Sequence, residues 1–247
     1  MINIVIPMAG RGSRFEEAGY TFPKPLIEIN QRPMIQIVAE NLRPAEEHRF
    51  IFICQQSHYD KYALKETLGQ VAPGCEIVPI DGITGGAACT VLLAADHFAS
   101  DEELLIANSD QFVEFDVGEF IGHARSEDLD GDILSFPASH PKWSIAKRND
   151  EGLVIEVAEK RPISDEATVG IYYYRRGQDF VDAAEQMIKK DIRTNGEFYV
   201  CPVYNQMILS GKRIGAHQIE ASKMHGLGTP EDLERFLKTD VCASLAP

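Results

Sequence analysis

The chain opens Ile2-Asn3-Ile4-Val5-Ile6-Pro7-Met8-Ala9-Gly10-Arg11-Gly12-Ser13-Arg14-Phe15 and soon continues Phe22-Pro23-Lys24-Pro25-Leu26. Residues 2–6 are short and rich in Ile and Val, the composition of a buried strand. The strand runs straight into a loop with two glycines and two arginines. Gly10 and Gly12 lack a Cβ, so the backbone can turn sharply and approach a ligand. Exposed N–H groups in such a turn form an anion-binding nest. Arg14 offers a fork of donors suited to phosphate oxygens. Lys24 is a compact charge whose backbone is stiffened by Pro23 and Pro25. Together these residues predict a polyphosphate cradle at the C-terminal end of the first strand, where open α/β sheets bind ligands.

Two other phosphate loops are excluded. No G-x-x-x-x-G-K-[ST] string occurs, and Phe15 stands where a dinucleotide fingerprint needs its third glycine. The other reading of the loop is a glycine-containing surface turn with incidental basic residues.

The periodicity that follows predicts a doubly wound α/β sheet. A helix over 33–42, a strand over 49–54, a helix over 58–68 and a strand over 76–80 give the order β-α-β-α-β. The loop 81–90 contains Gly85-Gly86-Ala87 and opens a helix running to about residue 95. Such a small-residue surface can lie flat on a planar base, or it can pack a helix N-terminus tightly on the sheet. A fourth strand, 103–107, ends in Asn108-Ser109-Asp110-Gln111. A carboxylate at that sheet edge can hold Mg²⁺ against triphosphate oxygens. Alternatively, Asp110 caps the loop before a helix near 117–126. After a strand at 132–136, three strands over 143–147, 153–158 and 168–174 predict an antiparallel extension that walls a second, acceptor pocket. Helices at 178–190 and 202–209 and a strand at 213–219 complete the pattern. Glu159-Lys160 at a strand end reads as a solvated pair or as acceptor contacts. Asn195 and Glu197 are polar loop candidates for the acceptor. Thr229, Pro230 and Asp232 spell a helix start, and the tail after Thr239 reads as a short exposed end.

Residues 8–15 with Pro23-Lys24-Pro25 resemble the A-A-G-x-G-x-R-[LF]…P-K-P signature of nucleotidyltransferases of the sugar-phosphate pyrophosphorylase type. Met8 stands where that signature has Ala or Gly. The resemblance implies a Rossmann-like nucleotidyltransferase fold and transfer of a nucleoside monophosphate to a phosphorylated acceptor, with loss of pyrophosphate. It implies that Met8, Ala9, Gly10, Arg11, Gly12 and Ser13 hold the triphosphate with Arg14, and that Lys24 sits at the phosphorus under attack. Gly86-Ala87-Ala88 is similar to a G-T-A segment that contacts base and ribose. Asp110 matches the metal-binding aspartate after the fourth strand. Glu159-Lys160 resembles an E-K-P element in which Lys160 would hold the acceptor phosphate and Glu159 its hydroxyls. Trp143-Ser144-Ile145 and Gly170-Ile171-Tyr172 fall on acceptor-contacting segments, but Ser144 and Thr168 replace the usual glycine and asparagine. Gly226 stands where D-x-G-T-P supplies a second metal aspartate, so His225, a nearby carboxylate or water would have to complete a Mg²⁺ site.

Composition sets the remaining bounds. The 247 residues suit a single domain, about 1–136 for nucleotide and 137–240 for acceptor. A net charge of −14 argues against nucleic acid or an anionic membrane as partner. Five scattered cysteines without a C-x-x-C predict reduced thiols in a cytoplasmic protein. No apolar run approaches membrane-spanning length. The expected partners are a nucleoside triphosphate, CTP or dTTP foremost, and a sugar 1-phosphate or a phosphocholine-like metabolite; homo-oligomer formation is left open. The rival expectation is a non-catalytic nucleotide-binding relative, motivated by Gly226.

Overall fold

A computed structural model describes residues 1–245 of the chain. In order, the elements are β1 (Ile2–Pro7), α1 (Ser13–Glu17), β2 (Glu28–Ile29), β3 (Arg32–Pro33), α2 (Met34–Asn41), β4 (His48–Gln55), α3 (Gln56–Lys61), α4 (Leu64–Val71), β5 (Glu76–Ile80), α5 (Ala87–Leu92), α6 (Ala95–Phe98) and β6 (Glu103–Ala107). There follow β7 (Gln111–Val113), α7 (Val117–Ser126), β8 (Gly131–Pro137), β9 (Ser144–Arg148), β10 (Val154–Glu159), β11 (Glu166–Tyr174), α8 (Gly177–Lys189), α9 (Val203–Leu209), β12 (Ile214–Gln218), β13 (Met224–Gly226), α10 (Pro230–Phe236) and α11 (Asp240–Ser244).

The central sheet is the predicted doubly wound one. β5, β4, β1 and β6 pair in parallel with β1 inside, so residues 2–6 are buried on both faces. β11 then joins β6 antiparallel and begins the extension. Its other edge takes β8, whose far side carries β12, and its first residues also pair with β9, which carries β10. The β11–β8 register shifts between Thr168 and Tyr172, and Gly170 lies in that bulge with φ 96°. The two faces carry two cores, one centred on α2 and α7 and the other on α5, α8 and α9. The pleated apolar runs therefore bury both of their sides, as the absence of alternation in the sequence requires.

Four features depart from the sequence reading. The helix expected over 58–68 is two short helices, α3 and α4, because Ala63 takes a left-handed φ of 48° between them. A two-stranded ribbon of β7 and β13 brings residue 226 beside residue 111. The short ribbon of β2 and β3 precedes α2. The tail after Thr239 is not an exposed end: Thr239 caps α11, Cys242 is fully buried, and Asn30 Nδ2 donates to Cys242 O at 2.6 Å. Asn30 can do this because the β2–β3 turn holds it at φ 50°. The five cysteines are all free.

One buried ionisable contact ties helix to sheet. Asp132 on β8 is fully buried and meets His123 Nδ1 on α7 at 2.6 Å. Burial raises the Asp132 carboxyl above its usual range, and the bond to Asp132 raises His123. With a folded value above that of the unfolded chain, His123 stabilises fully below about pH 6.5 and loses this contribution as pH climbs through the folded value. His123→Ala is expected to lower stability by about 1–3 kcal/mol at pH 6, with the gap to wild type shrinking by pH 9 in urea denaturation. A gap that widens with pH would contradict this coupling.

Candidate functional site

The glycine loop leaves β1 with its ends tied down. Met8 and Ala9 are buried. Met8 N donates to Ile53 O on β4, and Gln55 Nε2 donates to both Ala9 O and Gly82 O. Gln55, which the sequence pattern did not mark, thereby ties the loop after β1 to the loop after β5. Gly12 is at φ 64°, a left-handed N-cap for α1 that favours glycine. Gly10 has an ordinary conformation, but a Cβ there would meet nothing within 4 Å. It borders a cavity of about 200 Å³ with Pro7, Met8, Lys24, Pro25 and Asp110.

Lys24 begins a 3₁₀ turn, Lys24–Leu26, entered from Pro23 at φ −60° and ψ 147°. Its Nζ lies 2.8 Å from Asp110 Oδ2 at the end of β6. Asn108 and Asp110 border this cavity and a larger one of about 480 Å³. The two cavities therefore meet at the Lys24–Asp110 pair. Arg14 lies on the wall of the larger one, with its side chain exposed and without an ion-pair partner among the described residues.

The larger cavity is walled by the antiparallel extension. Trp143, Glu159, Lys160 and Gly170 all line it, as expected from the sequence. Glu159 is 9% exposed; Ser144 Oγ donates to its Oε2, and burial raises its carboxyl above the ordinary range. Lys160 holds a left-handed φ of 54°, costly for a residue with a side chain. Its Nζ donates to Tyr199 Oη at 2.7 Å and lies 4.8 Å from that ring's centre. That hydrogen bond pushes the Lys160 ammonium up. Lys142 stands 4.5 Å from the centre of the Trp143 ring. Thr168 and Tyr172 share a 3.1 Å hydroxyl contact within the wall. Lys142 and Tyr199 escaped the sequence reading because nothing local distinguishes them from solvated surface residues.

Several expected residues do not reach either cavity. Ala9, Arg11, Gly12, Ser13, Gly85, Gly86, Asn195 and Glu197 line neither. Gly85 is exposed, but the backbone of Phe198 occupies one side of Gly86. Phe198 N donates to Gly85 O, Ala88 N donates to Phe198 O, and a Cβ on Gly86 would lie 2.5 Å from Phe198 N and O. These glycines admit the backbone of residue 198, which carries Tyr199 to the cavity; Ala87 alone of the three lines it. Glu197 is exposed and closes a tight turn with Thr194.

The candidate metal ligand Asp110 does not cap α7; Asp116 does, accepting from Gly118 N and Glu119 N. Leu227 N donates to Asp110 O, and a Cβ on Gly228 would lie 2.9 Å from Asp110 Oδ2, so a side chain there would displace the carboxylate. His225 turns away, its Nε2 2.9 Å from Glu114 Oε1. Asp232, at the start of α10, also lines the larger cavity and accepts from Thr229 Oγ1 at 2.8 Å. Among the described residues no three metal-binding side chains gather. Two carboxylates bordering one cavity are nevertheless a donor set that suits Mg²⁺, which keeps most of its waters.

A family model described as nucleotidyl transferase matches residues 4–235. The low-salt glycan biosynthesis nucleotidyltransferase Agl11 of Haloferax volcanii is 24% identical over 238 residues, 93% of this chain. This chain spans only 63% of Agl11's length. The UTP–glucose-1-phosphate uridylyltransferase AglF of the same organism is 23% identical over 240 residues, 92% of each chain. The crystal structure of a nucleoside-diphosphate-sugar pyrophosphorylase from Vibrio cholerae RC9 superposes with a TM-score of 0.83 at 29% identity. That alignment covers 96% of this chain and 100% of the other.

The two kinds of glycine separate by experiment. Gly86→Ala is expected to cost about 2–3 kcal/mol in denaturant unfolding, because the new methyl overlaps backbone. Gly10→Ala should leave stability within about 0.5 kcal/mol. Equal losses at the two positions would contradict these assignments.

Proposed function

The chain belongs to the nucleotidyl transferase family, and from that premise we propose that it transfers a nucleoside monophosphate from a pyrimidine nucleoside triphosphate to a sugar 1-phosphate, releasing pyrophosphate. The observation that carries this reading is the 2.8 Å contact of Lys24 Nζ with Asp110 where the two cavities meet. The smaller cavity, floored by the glycine loop, takes the triphosphate. The larger, with Glu159, Lys160 and Trp143, takes the acceptor. CTP and dTTP are the candidates the family resemblance favours, and the name of AglF adds UTP.

In the proposed reaction an anionic oxygen of the acceptor phosphate attacks the α-phosphorus. A new P–O bond forms there, the bond to the β-phosphate oxygen breaks in line, and pyrophosphate leaves. The nucleophile is already ionised, so no general base is needed. Lys24 and Arg14 hold the α-phosphoryl oxygens and spread the charge that gathers on them. Lys160 and Lys142 draw the acceptor phosphate into the larger cavity. Asp110 would hold Mg²⁺, with Asp232 on the same cavity as the candidate second carboxylate. Bound there, the ion supplies charge neutralisation for the triphosphate.

A panel of CTP, dTTP, UTP and GTP against sugar 1-phosphates and phosphocholine tests this by pyrophosphate release. A pyrimidine nucleotide with a sugar 1-phosphate is the expected productive pair. Nucleotide binding without release in every combination would sink the reading and favour a non-catalytic relative. Lys24→Ala is expected to lower turnover by on the order of 10²–10³, with a smaller effect on acceptor binding. A Cβ at Gly226 would come no nearer than 3.8 Å to Asp232. Gly226→Asp therefore fits, and it should lower the Mg²⁺ concentration for half-maximal release several-fold; an unchanged Mg²⁺ dependence would argue against a metal beside Asp110.

A further inference from the structure

We propose that Gln111 is an acceptor-binding residue, its carboxamide hydrogen-bonding a hydroxyl of the acceptor's sugar. This rests on the proposed sugar 1-phosphate reading and adds a residue to it. Gln111 is 4% exposed and lines the larger cavity. Its Nε2 is buried with no hydrogen-bond partner among the described residues. Three other buried side-chain atoms are unpartnered in the same way, on Arg32, Tyr174 and Arg176, and none of those residues borders either cavity of the site. An unpaired buried amide costs about 1–3 kcal/mol. That cost is recovered when a ligand supplies the missing partner.

Gln111 sits on the cavity wall between two glycines. Gln111 opens β7 directly opposite Gly226 on β13, so a side chain at 226 would stand beside its own on the same face of the ribbon. Gly226 has none; a Cβ there would touch only Asp232, at 3.8 Å. On the other flank, Gly170 lets the amide in. A Cβ there would lie 2.2 Å from Asn108 Nδ2 and 2.9 Å from Gln111 Oε1. Strand pairing, rather than a loop, fixes the Gln111 backbone, which preorganises the contact.

The chemistry of the group points to a hydroxyl. The same cavity carries the carboxylates of Asp110, Asp232 and Glu159 and the ammonium groups of Lys142 and Lys160. Phosphate is served by the cations. A carboxamide adds no charge, and turning it over exchanges donor for acceptor. It therefore suits a neutral hydroxyl, which does both.

The test is calorimetric titration of wild type and Gln111→Leu with glucose 1-phosphate and its 2-, 3-, 4- and 6-deoxy analogues. Leucine keeps the volume and removes the polar group. The expected result is about tenfold weaker binding of glucose 1-phosphate by the variant. One deoxy analogue should bind wild type and variant alike, because its missing hydroxyl is the one contacted. The melting temperature of the variant should be equal or higher, since an unpaired buried polar group is gone; a structural role for the amide would lower it. Affinity within twofold of wild type, unchanged discrimination against all four analogues, or no binding by wild type would each overturn the proposal. The readout does not need turnover. Pyrophosphate release without a Gln111 effect overturns this inference alone, while Gln111-dependent binding without release overturns the proposed activity alone.

Discussion

The contact on which the site depends joins the ammonium of Lys24 to the carboxylate of Asp110. Both side chains are about one-quarter exposed, at 23% and 26%. A pair this open to water contributes about 1 kcal/mol or less to folding. Stability is therefore not its use. What it does is fix one cation at a known point of the sheet edge. β6 lies beside β1 in parallel register, so the end of β6 that carries Asp110 adjoins the end of β1 that carries the glycine loop. Lys24 reaches the same point from a turn bracketed by two prolines. In a chain of net charge −14, positive charge must be concentrated in this way to hold a polyphosphate.

The antiparallel extension answers the other half of the problem. A purely parallel sheet offers one crevice at its strand ends. Here β11 runs back against β6, bulges at Gly170 and spreads into β8 on one edge and β9 on the other. The splay opens the larger cavity beside the first crevice. Its wall carries groups that water would otherwise hydrate: the carboxylate of Glu159, held by Ser144, and the carboxamide of Gln111, held by nothing described. Ser144 and Thr168, two of the positions that differ from the common sugar-phosphate pattern, each bond another cavity-lining residue. They shape the pocket by restricting its polar groups.

Local chemistry made much of this legible. The Ile/Val run, the glycine loop, the proline-flanked lysine and the strand-end aspartate each carry their meaning in a few consecutive residues, and the structure brings them together. Glu159 and Lys160 stand at a visible strand end, but the resemblance to an E-K-P element is what marks them as acceptor contacts. The remainder depended on partners distant in sequence. Gly86 looks like a ligand-facing glycine until Phe198 is placed against it. Gln55 joins two loops by its side chain alone. β7 and β13 have three residues each and too little periodicity to announce a strand, yet their pairing sets Gly226 opposite Gln111. Ala63 breaks a helix with a backbone angle that its identity does not predict. The tail docks because Asn30, more than two hundred residues earlier, donates to it.

The central claim is that the α-phosphorus of the nucleotide sits at the Lys24–Asp110 junction with its base side apart from the acceptor cavity. A crystal structure with the unreactive analogue α,β-methylene-CTP tests it most directly. The account predicts the α-phosphonyl oxygens within hydrogen-bonding distance of Lys24 Nζ and the β- and γ-groups over Gly10. A nucleotide bound with its phosphates along Lys142 and Lys160, or away from the end of β1, would contradict it.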